Sequence, residues 1–319
     1  MEDKKILFIT YDLSGYYKGV YEELCKQYTA VDFYNIATLK YKYKHFFERI
    51  YSFFYKMTTG EKLKNHYKYQ GLIDEIAKKK YDHALIIRPD LFTHSQLKTL
   101  RKSCINLMAY YHDSINHIPR KKDVLHYFDK IYCYEKRDVK DYNLTFIANF
   151  MYWNESHPLQ PKQFDAYSVM SYDYRFPTLK RVAEFLKKHN ITFDFNVVTD
   201  KKVQDELIHI DSKRITNDEI MEAISKSTII VDIHKYGVQD GLTFRVFEAM
   251  GFKKKLITTN LDIKTYDFYN PNNIFVIEDV NAIDIPDSFF ETPYEELPAS
   301  IFEKYTVKAW IATIFKTTN

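Results

Sequence analysis

Ser227-Thr-Ile-Ile-Val-Asp-Ile-His-Lys-Tyr-Gly-Val-Gln-Asp-Gly-Leu-Thr-Phe-Arg-Val-Phe-Glu-Ala-Met-Gly251 holds three of the seven glycines in a chain of 319 residues. Its opening apolar run, Ser227–Asp232, predicts a buried strand, and Leu242–Met250 has the spacing of a helix. Between them lies a loop punctuated by Gly237 and Gly241. Strand, glycine loop and helix together form the arrangement in which backbone N–H groups and the helix dipole hold phosphate. Gly241 lets the backbone approach a diphosphate closely, and Thr243 can donate from the first turn. Asp240 and Glu248 stand eight positions apart, one at the loop tip and one two turns into the helix. Acids so placed can accept hydrogen bonds from sugar and ribose hydroxyls. A glycine-capped loop before a core helix, with Glu248 solvated on its outer face, would carry the same residues.

Working outward, short β-rich runs alternate with helical patterns along the whole chain, the signature of βαβ units around parallel sheets. In the second half the expected strands are Ala166–Ser171, Thr192–Val198, Ser227–Asp232, Lys255–Thr259 and Asn273–Ile277. Pro177–His189 and Glu219–Ser225 are expected helices, the latter opened by a Thr216-x-x-Glu219 capping box. In the first half, Lys5–Thr10, Ala30–Ile36, His83–Arg88, Ile105–Tyr111 and Lys130–Glu135 read as strands, and Gly15–Tyr28 and Thr93–Lys102 as helices. Tyr152–Phe164, with Pro158 and Pro161, reads as an interdomain linker. The expected fold is therefore α/β, with two Rossmann-like domains whose parallel sheets face a cleft. Their expected bounds are 1–155 and 156–298, and a final helix within 299–319 packs back towards the first domain.

Composition excludes several classes. The chain is 45% hydrophobic and 28% charged, enough to build large cores and too apolar for a disordered protein. No apolar run reaches the ~18–20 residues of a membrane span, and MEDKKILFIT lacks a signal-peptide pattern. Cys25, Cys104 and Cys133 lie far apart, with no disulfide or zinc spacing. A cytoplasmic location is expected, with peripheral contact at the inner face of a membrane as a further option.

The stretch Asp240-Gly-Leu-Thr-Phe-Arg-Val-Phe-Glu-Ala-Met-Gly251 resembles the E-x7-E donor signature of GT-B glycosyltransferases. It is most similar to the family 4-like and CgeB-like enzymes of bacterial surface polysaccharide (lipopolysaccharide and capsule) synthesis. The resemblance implies metal-independent transfer of a sugar from a nucleotide-sugar to a glycan or lipid-linked acceptor, with retention at the anomeric carbon. It assigns the ribose to Glu248 and the donor sugar to Asp240, where the family usually has the longer Glu. Gly241, Leu242 and Thr243 would line the diphosphate. Lys253-Lys-Lys255 stands where relatives often carry Gly-x-Pro. A nucleotide-sugar 2-epimerase shares the fold, and a non-catalytic membrane-peripheral protein would keep the binding site without turnover.

Arg175, in the loop after the first strand of the second domain, is a candidate for the leaving diphosphate. Arg245, on the signature helix, is a second. In the first domain Gly15 and Tyr16 belong to a glycine loop after strand one that suits acceptor entry, and that loop lacks the G-x-G-x-x-G spacing of a dinucleotide site. His112 and Asp113 end another strand, at the sheet edge where α/β proteins bind ligands. Either can position an acceptor hydroxyl or take its proton, and Asp113 is the favoured base. No D-x-D occurs, so neither a metal site nor a cofactor is expected; the nucleotide-sugar is a substrate.

The net charge of +3 conceals a basic segment. Between Thr38 and Tyr69 eight Lys or Arg face two Glu. Lys40–Tyr69 interleaves these cations with Phe and Tyr at helical spacing. It fits an amphipathic helix lying on an anionic membrane surface and equally one packed on its own domain. Since the rest of the chain is slightly acidic, a nucleic-acid partner is not expected.

Overall fold

The structure, a computed structural model, describes residues 2–153 and 160–315. It divides into two units, one of residues up to Ile147 together with those from Ile311 on, the other Ala148–Trp310.

Unit 1 is built on a six-stranded parallel sheet of β1 (Glu2–Thr10), β2 (Tyr28–Asn35), β3 (Tyr81–Ile87), β4 (Cys104–Tyr111), β5 (Lys130–Cys133) and β6 (Thr145–Phe146). Their order is β2-β1-β3-β4-β5-β6. Ile6–Ile9 and Ala84–Ile86 are shut off from solvent, because helices cover both faces of such a sheet. Each buried aliphatic side chain contributes roughly 1.5–3 kcal/mol. Residues 311–315 pack here too: the Tyr132 hydroxyl donates to the carbonyls of Thr313 and Ile314, and the Phe315 ring lies against Tyr28 and His83.

Unit 2 repeats the plan with β7 (Ala166–Ser171), β8 (Phe193–Val198), β9 (His209–Asp211), β10 (Ile229–Asp232), β11 (Lys255–Thr258) and β12 (Ile274–Val276). The order is β12-β11-β10-β7-β8-β9, again all parallel. In each unit the strand order reverses at one place, between β1 and β3 in unit 1 and between β7 and β10 in unit 2. Open α/β sheets bind ligands at the carboxyl ends of the strands flanking that reversal.

The structure also departs from the sequence-based expectations. β6 and β9 are short, largely exposed strands with no apolar run to reveal them. The first helix begins at Lys18 rather than Gly15. The expected final helix over 299–315 is broken into Ala299–Phe302 and Val307–Phe315. Thr306 between them is extended, bridges Met151, and caps the second piece by accepting from the Ala309 N–H. Of the expected linker, 154–159 lies outside the described residues, while Tyr152 and Trp153 are packed into unit 2.

The helix Phe46–Thr59 of the basic segment turns its aromatics outward: Phe46, Phe47, Phe53 and Phe54 are exposed, and Ser52 is its one buried residue. It ends at Gly60, whose left-handed φ of 72° is the usual C-terminal cap. Among the described residues no helix is long and apolar enough to cross a membrane.

Candidate functional site

In unit 2 the two loops that flank the strand reversal are those singled out from sequence. β7 leads into Tyr172–Arg175, and β10 leads through Ile233–Thr243 into the helix Phe244–Gly251. Arg175 joins them. Its Nε and Nη2 grip the Asp173 carboxylate at 2.9 and 2.8 Å, and its Nη1 donates to the Ile233 carbonyl at 2.8 Å. Burial pushes the Asp173 carboxyl up, but the bonds and charge of Arg175 outweigh it and hold the group below its ordinary value. Asp173 in turn fixes the guanidinium, and two of the five Arg175 N–H donors find no partner among the described residues.

The glycine loop is pinned from beneath. The Asn260 amide reaches both His234 Nδ1, at 3.2 Å, and the Gly241 carbonyl, at 3.3 Å, and Asn149 donates to the Leu242 carbonyl at 2.8 Å. Gly237 has a φ of +79°, which a side chain would strain. Leu242 is buried, so only its backbone is available to a ligand. Thr243 is the N-cap residue of the helix, yet its hydroxyl makes no capping bond and faces Asp232 instead. Burial raises the Asp232 carboxyl above its usual range against the pull of His234, Arg175 and Arg245. Burial likewise lowers His234, opposed by Asp232 and by the Gln239 backbone. Asp240 is half-buried at the loop's end.

Glu248 is not solvated on the outer face of its helix. It is fully buried, ion-paired to Arg245 one turn away, and its other oxygen accepts from the Tyr152 hydroxyl at 2.8 Å. That hydroxyl also lies 2.9 Å from Asn217 Oδ1. Both oxygens of Glu248 are engaged and its side chain is shut off from solvent, so a ribose reaches this carboxylate only by displacing a neighbouring side chain. Gly251 proves to be a packing residue: a Cβ there would stand 2.3 Å from Cζ2 of Trp153.

The unit 1 candidates gather at the ends of β1 and β4. The loop holding Gly15 and Tyr16 is organised by Asp12, whose carboxylate accepts from the N–H groups of Ser14, Gly15 and Tyr17 at 2.8–2.9 Å. With its amides already claimed by a carboxylate, this loop is no phosphate cradle. Tyr17 carries the connection onward, its hydroxyl lying 3.0 Å from His112 Nδ1. Burial lowers His112, opposed by Asp113. Asp113 is raised by burial but held below the ordinary carboxylate range by His112, Lys121 and Arg88. Lys121, fully buried, donates its ammonium to the Asp113 carbonyl.

Sequence reasoning passed over Asp12, Tyr152, Asp173, His234 and Asn260. His234 stood in the stretch 227–251, and Asp12 follows the first expected strand by two residues. Tyr152 and Asn260 gave no local signal. Among the described residues no cluster of His, Cys, Asp and Glu could hold a metal.

No protein-family model matches the chain, and comparison with curated proteins finds no match. Solved structures do resemble it. An alpha,alpha-trehalose-phosphate synthase (UDP-forming) from Burkholderia xenovorans, in complex with glucose-6-phosphate, superposes with a TM-score of 0.58 at 10% identity, over 98% of this chain and 99% of that one. An alpha-glucosyltransferase in complex with UDP-glucose and DNA containing an abasic site gives 0.57 at 12%, over 98% and 93%. An alpha-glucosyltransferase in complex with UDP and a 13-mer DNA containing a central A:G mismatch gives 0.53 at 12%, over 85% and 81%. The shared architecture is GT-B, two Rossmann-like units. These complexes correct one expectation: proteins of this fold do engage nucleic acid, so its exclusion as a partner does not stand. The exclusion averaged charge over the whole chain, whereas a partner responds to a local field such as that of the basic segment.

Proposed function

We propose that the protein is a glycosyltransferase that takes its sugar from a nucleoside-diphosphate sugar held by unit 2. One observation carries this: Arg175, the glycine loop and the N-terminus of the Phe244–Gly251 helix converge where the strand order of unit 2 reverses, with Arg175 bonded across the reversal to Ile233. In this reading the diphosphate lies on Gly241–Thr243 and the uncommitted donors of Arg175, charge stabilisation that needs no metal. Asp240 faces the donor sugar. Glu248 serves the nucleotide indirectly, by holding Arg245 and Tyr152 in place.

Unit 1 is proposed to receive the acceptor, with Asp113 ionised beside His112 to orient the attacking hydroxyl. The D-x7-E spacing supports retention of the anomeric configuration. The similar proteins are solved with UDP or UDP-glucose and with DNA or a sugar phosphate, so acceptors of both kinds belong in the assay beside glycans.

Calorimetry against UDP-, GDP-, CMP- and dTDP-sugars tests the donor site, and transfer from the tightest binder, with chelator present, tests the chemistry. Binding of none of these nucleotides would overturn the proposal. Formation of an epimer without acceptor would move the assignment to a nucleotide-sugar 2-epimerase.

A further inference from the structure

Unit 1 has a built recess that the donor chemistry leaves unused. β3 ends at Ile87, and Arg88 follows with φ 65° and ψ 53°, a left-handed conformation that strains a side-chain-bearing residue. The turn places Arg88 beside the β1/β3 reversal, its guanidinium 5.6 Å from the ring of Tyr11 in the loop after β1. Arg88 pairs with Asp90 through Nε at 2.9 Å and Nη2 at 3.0 Å. From the short helix Arg120–Asp123 that follows β4, Arg120 reaches the same place. Its Nε donates to the Asp90 carbonyl, and its Nη2 to the Phe92 carbonyl and to Glu61. With Lys62, Asn65, Thr93 and His117 these two arginines line a cavity of about 310 Å³, at the small end of the range for ligand sites.

The charges do not cancel there. Asp90 and Glu61 are each matched by one arginine. Lys62 has no ion-pair partner among the described residues, and Nη1 of both Arg88 and Arg120 makes no hydrogen bond to any of them. Guanidinium groups held by their other nitrogens fix the free Nη1–H donors in place, where they can make charge-assisted hydrogen bonds to phosphate oxygens.

We propose that this cavity binds a phosphoryl group, carried by the acceptor substrate. The phosphate chemistry stands on the cavity alone; its assignment to the acceptor rests on the transferase reading above. A phosphorylated sugar and the backbone of a nucleic acid present the same group.

The test titrates the full chain with inorganic phosphate, following heat and thermal unfolding, and compares Lys62→Glu and Arg120→Gln with the unaltered protein. Binding in the millimolar range is expected, weakened about tenfold or more by either change, the loss of one charge-assisted contact. Affinity for UDP should stay as it was. Arg120 also ties down carbonyls, so its variant can lose stability, whereas Lys62 is exposed and reverses charge without loss of packing. Displacement of phosphate by a hexose phosphate but not by its parent sugar identifies a small acceptor, and displacement by an oligonucleotide identifies a nucleic-acid one. Absence of phosphate binding, equal binding by both variants, or displacement by neither probe overturns the proposal. Phosphate binding without any nucleotide binding would instead sink the transferase reading and leave the site intact.

Discussion

Arg175 Nη1 lies 2.8 Å from the carbonyl oxygen of Ile233, a bond between residues 58 positions apart that closes the crevice where the sheet order of unit 2 reverses. The same guanidinium grips Asp173 with two other nitrogens, so the loop after β7, the end of β10 and a cation are fixed as one object. A lysine at 175 has the charge but not the fork. Arg175→Lys is therefore expected to weaken UDP binding about 10–100-fold, the loss of one or two charge-assisted hydrogen bonds. Calorimetry reads this directly, and an unchanged dissociation constant would remove Arg175 from the donor site.

Glu248 makes the opposite case, a signature acid whose surroundings are structural. Its carboxylate is wholly buried between Arg245, whose side chain is 15% exposed, and the Tyr152 hydroxyl. Removing one partner of a buried pair leaves an uncompensated charge, at a cost of about 3–5 kcal/mol. Glu248→Ala should lower the urea midpoint by a corresponding amount, and Glu248→Gln by less, since its amide oxygen can still accept from Tyr152. Full stability in Glu248→Ala, with nucleotide affinity lost, would return Glu248 to direct contact with the ligand.

These two residues show what the sequence made legible. The strand before the glycine loop, the loop and the helix after it were all readable, because each is a local pattern: an apolar run, backbone punctuation, a 3.6-residue period. The placing of Arg175 near a strand end was readable for the same reason. Its carbonyl partner was not, since a main-chain oxygen leaves no mark on composition. Tyr152 lies 96 positions from Glu248, and nothing local says that a signature acid will face inward towards it. The short strands β6 and β9 escaped because pairing at a sheet edge needs no apolar run. The left-handed turn at Arg88 escaped because residues with side chains seldom adopt it.

The glycines separate by the same logic. A Cβ on Gly251 would meet Cζ2 of Trp153 at 2.3 Å and Sδ of Met151 at 3.0 Å. Overpacking of that kind costs about 1–3 kcal/mol, so Gly251→Ala should lower stability through the Trp153 packing. Gly71, inside the helix Leu63–Ile76, has nothing within 4 Å of an added Cβ. Gly71→Ala should raise stability by up to about 1 kcal/mol, the helix propensity gained. Denaturant titration of the pair checks both signs. Two changes of the same sign would mean that helix propensity or close packing has been misassigned at one of them.

Burial holds His83, His112 and His234 below the ordinary imidazole value of 6.5, in His83 aided by Lys4 and opposed by Asp82. Just below 6.5, therefore, the unfolded chain binds protons that the folded chain refuses. Stability from this source is complete above about pH 6.5 and falls as the pH drops towards the lowered folded values. Each histidine contributes a slope of at most about 1.4 kcal/mol per pH unit. His83 is the cleanest probe: it is buried in β3, edge-on to Phe315, and belongs to neither candidate site. His83→Gln cannot titrate, so its unfolding free energy between pH 7 and 5 should fall less steeply than that of the unaltered protein. An identical slope would show that His83 is protonated alike in the folded and unfolded chains, and that burial at this position carries no cost in charge.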